Sequence, residues 1–411
     1  MTSPANIHSP RFAANPVAAP IGPVLIARAL RDFGDGFVAV LLPVYLTALG
    51  LGAFEVGVVA TAALFGSALI TLGIGHLGAR VDQRLLLICA SALMIATGCA
   101  FAVSSTYAVI LLVAFAGTIN PSSGTVSIFA PLEQAVLSRS VADADRTRMF
   151  ARYSLIGAMS SAAGALSAAV PDVLVDAGIG RVTAFKLMFC CYGVLGLLAA
   201  ALYRRLRQSR AEQHHASTPL GPSRGMVYKL AALFSLDAFA GGFVVQSLLA
   251  LWLFKRFGIS LSAASLFFFW TSVLSALSYP LASWLARRIG LVNTMVFTHI
   301  PSSVFLILAA FSPNLYVALG LLLLRSALSQ MDVPTRTSYV MAVVTPAERP
   351  AAASVTAVPR SLASAISPAI AGALLTTAFS GLPLVVCGTL KIAYDLALLF
   401  SFRHVKPPEE T

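Results

Sequence analysis

Residues 54–103 read FEVGVVATAALFGSALITLGIGHLGARVDQRLLLICASALMIATGCAFAV. Two apolar runs, 54–78 and 84–103, flank a short turn that holds Arg80, Asp82 and Arg84. A helix rises about 1.5 Å per residue and a bilayer's hydrocarbon core is about 30 Å thick, so about 20 apolar residues span it. Each run has that length. The stretch therefore reads as two membrane-spanning helices joined by a basic turn in water.

The pattern continues in both directions. Apolar segments fall at 22–48, 54–78, 84–103, 107–137, 148–170, 183–203, 228–253, 260–286, 291–311, 314–344, 350–376 and 381–402. The 411 residues are 58% hydrophobic and 11% charged, and mean hydropathy is +0.85. A soluble domain carries about 25% charged residues. A polar surface of normal size cannot be made from this composition, so lipid must cover the outside. The expectation is an all-α membrane protein of twelve transmembrane helices.

Charge tests that count independently. One alternating set of connections holds Arg80 and Arg84, then Arg139, Arg146, Arg148 and Arg152, the 204–229 stretch, Arg287 and Arg288, and Arg349; the termini add Arg11, Arg403 and Lys406. The opposite set holds Arg181, Lys186, Lys255 and Arg256. Basic loops stay in the cytoplasm. Both termini are thus expected there, which requires an even number of spans. The net charge of +12 follows from the same loops. No aromatic-basic surface accompanies it, and nucleic acid is not an expected partner.

Smaller features add little chemistry. Cys89, Cys99, Cys190, Cys191 and Cys387 all lie in apolar stretches; no disulfide framework or metal-ligand spacing appears, and packing is the expected role of each. The first twenty residues lack the apolar core and cleavage site of a secretory signal. Residues 204–227, with His214, His215, Pro219 and Pro222, suit a flexible linker. The expected organisation is a cytoplasmic tail over 1–21, a six-helix bundle over 22–203, the linker over 204–227, a second six-helix bundle over 228–402 and a tail over 403–411.

The two halves repeat at a shift of about 205 residues. Asp32 with Gly36-Phe37-Val38 in segment one matches Asp237 with Gly242-Phe243-Val244 in segment seven. The turn from Gly75 to Arg84 matches Ser283 to Gly290, and Asp145-Arg146 matches Glu348-Arg349. Three landmarks at one shift imply a six-plus-six duplication, in which a solute site lies between the halves.

These residues resemble the major facilitator superfamily over nearly the whole chain. Its loop pattern after segment two is Gly-x-x-x-Asp-Arg-x-Gly-Arg-Arg. Gly75, Arg80 and Arg84 match it; Ala79 stands at the acidic position and Asp82 at the second glycine. Asp82 is then the candidate substitute acid, and Gly75, Arg80, Asp82, Arg84, Arg288 and Gly290 form the candidate conformational-gate loops. Val344-Thr345-Pro346-Ala347-Glu348-Arg349, preceded by Arg325, resembles the family's second-half pattern. Residues 114–124 hold no matching basic residue, and 157–164 hold no proline, which separates the chain from the best-known drug–proton antiporters.

A charge at the bilayer centre costs roughly 2.5–3.5 kcal/mol, so intramembrane charges are candidates for function. Those singled out are Arg28, Arg31, Asp32, Asp35, Asp237, Arg325, Asp332, Arg336, Arg360, Lys391 and Asp395. Arg28–Asp32, Arg31–Asp35, Asp332–Arg336 and Lys391–Asp395 are spaced i,i+4, so each pair shares one helix face and is expected to neutralise locally. Helix insertion alone explains such pairs, and does so best for Lys391–Asp395 on segment twelve.

The resemblance implies that segments one, four, seven and ten line a central cavity. Asp32, Asp35, Asp237, Asp332 and Arg336 then collect around it, with Asn120, Gln246 and Gln330 as helix ties or solute contacts. Phe37, Phe243, Trp252 and Tyr339 are candidate apolar walls. Pro121 and Pro334 free backbone carbonyls at hinges or bends. A carboxylate beside a low-dielectric wall holds its proton more firmly, which points to Asp35 first and Asp237 second as proton-coupling groups.

The leading expectation is a monomeric, proton-coupled secondary transporter in a bacterial-type inner membrane, exporting small organic compounds by alternating access. Its partners are a small-molecule substrate, protons or another coupling ion, and lipid. An alternative is import of a nutrient or vitamin-like organic anion, with Arg31, Arg325 or Arg336 on the negative group. A non-transporting sensor or scaffold is a further alternative. Neither a cofactor nor a metal is expected. No paired histidine ligands, Gly-x-Ser-x-Gly or phosphate loop occurs, so an enzyme is not expected.

Overall fold

The structure is a computed structural model that describes residues 21–77, 81–122, 127–141, 143–206, 220–345 and 348–402. Helices of the first half are α1 (Ile21–Ala48), α2 (Ala53–Leu77), α3 (Gln83–Val103), α4 (Tyr107–Ala116), α5 (Phe129–Ser140), α6 (Asp143–Ser167), α7 (Val170–Asp176) and α8 (Arg181–Tyr203). Those of the second are α9 (Arg224–Gly242), α10 (Gln246–Phe257), α11 (Leu261–Ile289), α12 (Leu291–Phe311), α13 (Leu315–Leu328), α14 (Asp332–Val343), α15 (Arg349–Leu374) and α16 (Leu382–Phe402). No strand occurs among the described residues.

These helices form the twelve expected rods. Rod four is α4 with α5, rod seven is α9 with α10, and rod ten is α13 with α14; α7 extends α6. Among the described residues, nine stretches are long and apolar enough to cross a membrane by length and composition. The rods outside that count are α1, α4 with α5, and α15. α1 carries four charged residues, α4 is 10 residues long, and α15 carries Arg349 and Arg360. Polar rods need protein around them in lipid, and all four charges of α1 are buried.

The outside of the bundle is apolar. Leu112, Val173, Leu197, Leu277, Phe311 and Phe400 are each more than half exposed. In water such a surface would associate; in a bilayer it meets acyl chains. Cys89, Cys99, Cys190 and Cys191 also face outward, and Cys387 alone is buried. The packing role expected of all five therefore holds for Cys387 only.

Helix ends explain part of the loop sequence. The Asp82 carboxylate accepts the Arg84 backbone N–H at 3.0 Å and caps α3. Asp82 thus satisfies one of the orphan donors of a helix start. Gly290 lies between α11 and α12 with φ +87°, a conformation glycine adopts without penalty. Arg288 is exposed and its guanidinium lies 4.4 Å over the Trp284 ring. Arg80 lies outside the described residues, as do the tails and the 207–219 part of the linker. Pro334 sits in the first turn of α14, where its missing N–H would have had no helical partner; it starts a helix rather than bending one.

The halves meet through α2 against α15 and α6 against α11, with α1 touching α10 and α11. Gly57 and Gly372 mark a tight crossing between the halves. A Cβ on Gly57 would fall 2.5 Å from the Pro368 carbonyl oxygen, and one on Gly372 2.6 Å from that of Ala53. Beside them the Ala369 N–H donates to Thr61 Oγ1 at 2.9 Å. The Ser262 hydroxyl donates to Asp172 at 2.6 Å. These contacts join the halves at the end of the bundle away from the linker between α8 and α9.

Candidate functional site

In the first half, α1 presents Arg28, Arg31, Asp32 and Asp35 to the interior, none more than 9% exposed. Arg28 Nε lies 2.8 Å from Asp32 Oδ2, and the guanidinium stacks 4.6 Å over Tyr153. This is the expected i,i+4 ion pair. Arg31 departs from its expected partner. Its Nη2 donates to Glu133 of α5 at 2.5 Å, its Nε donates to the Tyr203 hydroxyl at 3.1 Å, and its face lies 4.0 Å over Phe129. Glu133 is fully buried and also accepts from Tyr153 at 2.6 Å and from Tyr203. Interhelical contact prevails over i,i+4 spacing because the α5 carboxylate reaches the guanidinium edge directly.

Asp35 is left without a cation within salt-bridge distance among the described residues. Its contact is the Tyr192 hydroxyl of α8 at 3.3 Å. That hydroxyl also lies 3.0 Å from the Thr118 carbonyl and 3.1 Å from the Thr118 hydroxyl. A small pocket opens here, lined by Arg31, Asp35, Ser67, Thr118, Phe129 and Tyr192 among others. Thr118 belongs to the interruption between α4 and α5.

In the second half Asp237 is the hub. Arg336 Nη1 donates to it at 3.0 Å and Lys391 Nζ at 2.6 Å. Arg336 also pairs with Asp332 at 2.9 Å, the expected i,i+4 pair. Lys391 and Asp395 do not pair with each other. Lys391 reaches across to α9, while Asp395 faces His299 of α12, whose Nδ1 lies 3.1 Å away. Lys391 Nζ is also 3.2 Å from His299 Nε2. An ammonium only donates, so Nε2 accepts and the Nδ1 proton points to Asp395. The pair that helix insertion best explained is instead part of an interhelical chain from Asp237 through Lys391 and His299 to Asp395.

The unwound breaks also meet. The Ser247 N–H, at the start of α10, donates to the Pro121 carbonyl in the rod-four break at 3.1 Å. Asn120 accepts from the Ser122 N–H and hydroxyl and shapes that break. Gln330 lies in the break between α13 and α14, and Arg325 lies beside Cys387 of α16. Phe37, Phe243, Trp252 and Tyr339 are at most 3% exposed; they pack the interior rather than wall a cavity.

Sequence reasoning missed Glu133, His299, Tyr153, Tyr192 and Tyr203. Glu133 falls inside the fourth apolar segment and an ionisable count of that segment finds it. The tyrosines carry no such signal.

The Major Facilitator Superfamily model matches residues 24–236 and 230–411. The chain belongs to this superfamily. As a member it is a multi-pass membrane transporter of the secondary type, and the paired matches agree with its two six-helix repeats. An uncharacterized membrane protein of Saccharomyces cerevisiae is 24% identical over 414 residues, covering 92% of each chain. Solved structures share the fold. A bacterial homologue of the human lysosomal transporter Spinster, inward-facing and unoccupied, has a TM-score of 0.67 at 16% identity, over 93% of this chain and 94% of that one. The nucleoside transporter NupG has a TM-score of 0.70 at 13% identity, over 93% and 99%. The human organic anion transporter TETRAN has a TM-score of 0.61 at 16% identity, over 92% and 99%.

Proposed function

We propose that this superfamily member is a proton-coupled carrier of small organic solutes, with Asp35 as the coupling carboxylate. One observation carries the reading: among the described residues, Asp35 alone of the buried carboxylates of the first half has no cation within salt-bridge distance. Arg28 serves Asp32 and Arg31 serves Glu133. An unpaired buried carboxylate takes up a proton more readily than a paired one.

Tyr192 supplies the link to conformation. Its hydroxyl has one proton and three acceptors in reach, Asp35 and the carbonyl and hydroxyl of Thr118. When Asp35 is ionised, the phenol proton goes to the carboxylate. When Asp35 is protonated, it donates to the phenol oxygen, and the phenol proton turns to Thr118. Protonation thereby strengthens a bond to the rod-four break, which touches the second half through Pro121 and Ser247. A ligand shifts a two-state equilibrium through such differential contacts.

The test uses purified protein in vesicles loaded with a pH-sensitive dye, under an imposed pH gradient, against a panel of small organic solutes applied from either side. The wild type moves protons with its solute, and the side that supports flux gives the direction. Asp35→Asn is expected to lose gradient-driven accumulation and retain exchange of that solute. Accumulation by Asp35→Asn at the wild-type rate would overturn the assignment.

A further inference from the structure

Inside the second half Arg336 and Lys391 are both held by Asp237, and Arg336 by Asp332 as well. Arg360, midway along α15, is not. Its Nε is enclosed and has no hydrogen-bond partner, and no described carboxylate lies within salt-bridge distance of it. The charged groups around it are Arg336, Asp237 and Asp332. An enclosed donor left unmet costs free energy unless something supplies an acceptor.

Two further donors lie farther along. Ser367 is two turns from Arg360 on the same face of α15, and its hydroxyl is buried without a partner. It packs against Gly242, where α9 gives way to α10. Gln246 begins α10, and its Nε2 is likewise buried and unpartnered. Seven residues of helix set Arg360 and Ser367 about 10 Å apart along the axis.

We propose that Arg360 is the recognition site for a carboxylate on the transported solute, with Ser367 and Gln246 binding a neutral polar group about 10 Å farther along it. The planar fork of arginine matches a carboxylate through two parallel hydrogen bonds. The solute class is then a small organic carboxylate. Arg31 and Arg336, two of the three arginines considered for an anion from sequence, already serve protein carboxylates. This inference rests on the carrier reading and names the substrate class for it.

The experiment is ligand-induced thermal stabilisation of the full-length protein in detergent. Benzoate, nicotinate and hippurate are titrated beside benzamide, nicotinamide and the hippurate amide. At least one carboxylate is expected to stabilise the wild type while its amide does not. Arg360→Gln abolishes that shift, and Arg360→Lys weakens binding by about tenfold or more because an ammonium lacks the fork. 8-Hydroxyoctanoate, which carries a hydroxyl about 10 Å from its carboxylate, is titrated as well, and Ser367→Ala weakens its binding several-fold. The proposal is overturned if no carboxylate exceeds its amide, or if Arg360→Gln retains the shift; should Arg360→Gln not fold, wild-type affinity in Arg360→Lys overturns it equally. Asp35-dependent proton flux with an uncharged solute would remove the carboxylate assignment and leave the carrier reading standing.

Discussion

Arg31 illustrates how one buried side chain is satisfied: a carboxylate edge-on, a phenol oxygen at Nε and an aromatic ring beneath its face. Removing one member of a buried ion pair strands the other and costs about 3–5 kcal/mol. Glu133→Gln should therefore lower the melting temperature of the detergent-solubilised protein strongly. Replacing both partners, Arg31→Met with Glu133→Leu, should recover much of that loss. An equally low melting temperature for the double variant would contradict this account. The i,i+4 spacing made Arg28–Asp32 and Asp332–Arg336 legible in the sequence. It misassigned Arg31 and Lys391, because long side chains reach across to another helix as easily as along their own.

At the scale of elements, α2 and α15 depend on closeness. Gly372→Val would place carbon against the Ala53 carbonyl, and overpacking of this kind costs about 1–3 kcal/mol. Only the conformation closed at this end pays that cost, so its population relative to the other should fall by roughly 5- to 150-fold. Cysteine-accessibility labelling at the end away from the linker should rise correspondingly, with expression unchanged; unchanged labelling would refute the crossing's role.

The start of α15 has its own pH signature. Donation from the Thr345 and Ser223 hydroxyls and the Gly221 N–H holds the Glu348 carboxyl at about 2, below its ordinary 4.5. A depressed carboxylate contributes its stability in full above the unfolded value and loses it as pH falls through the folded one. Melting temperatures should therefore drop between about pH 4.5 and pH 2, and Glu348→Gln should flatten that part of the curve. The Pro-x-Glu-Arg resemblance flagged Glu348 from sequence; its hydrogen bonds to the linker end were visible only once folded.

For the whole molecule, alternating basic loops imply that both chain ends share one side of the membrane. Protease-cleavable tags at the two termini should both resist digestion in right-side-out vesicles and both be cut once the membrane is permeabilised. Digestion of one tag alone would break the twelve-rod topology.

The spans and the six-plus-six repeat were determined by the sequence alone. Bilayer thickness, hydropathy and loop charge act along one dimension, and each is read residue by residue in order. Which charge meets which was decided only by tertiary structure. Asp35 is singled out because Glu133 from α5 claims Arg31, and Arg360 because Asp237 and Asp332 are already filled from α14 and α16. Such pairings depend on depth and azimuth of separate rods, and no spacing in the chain encodes either.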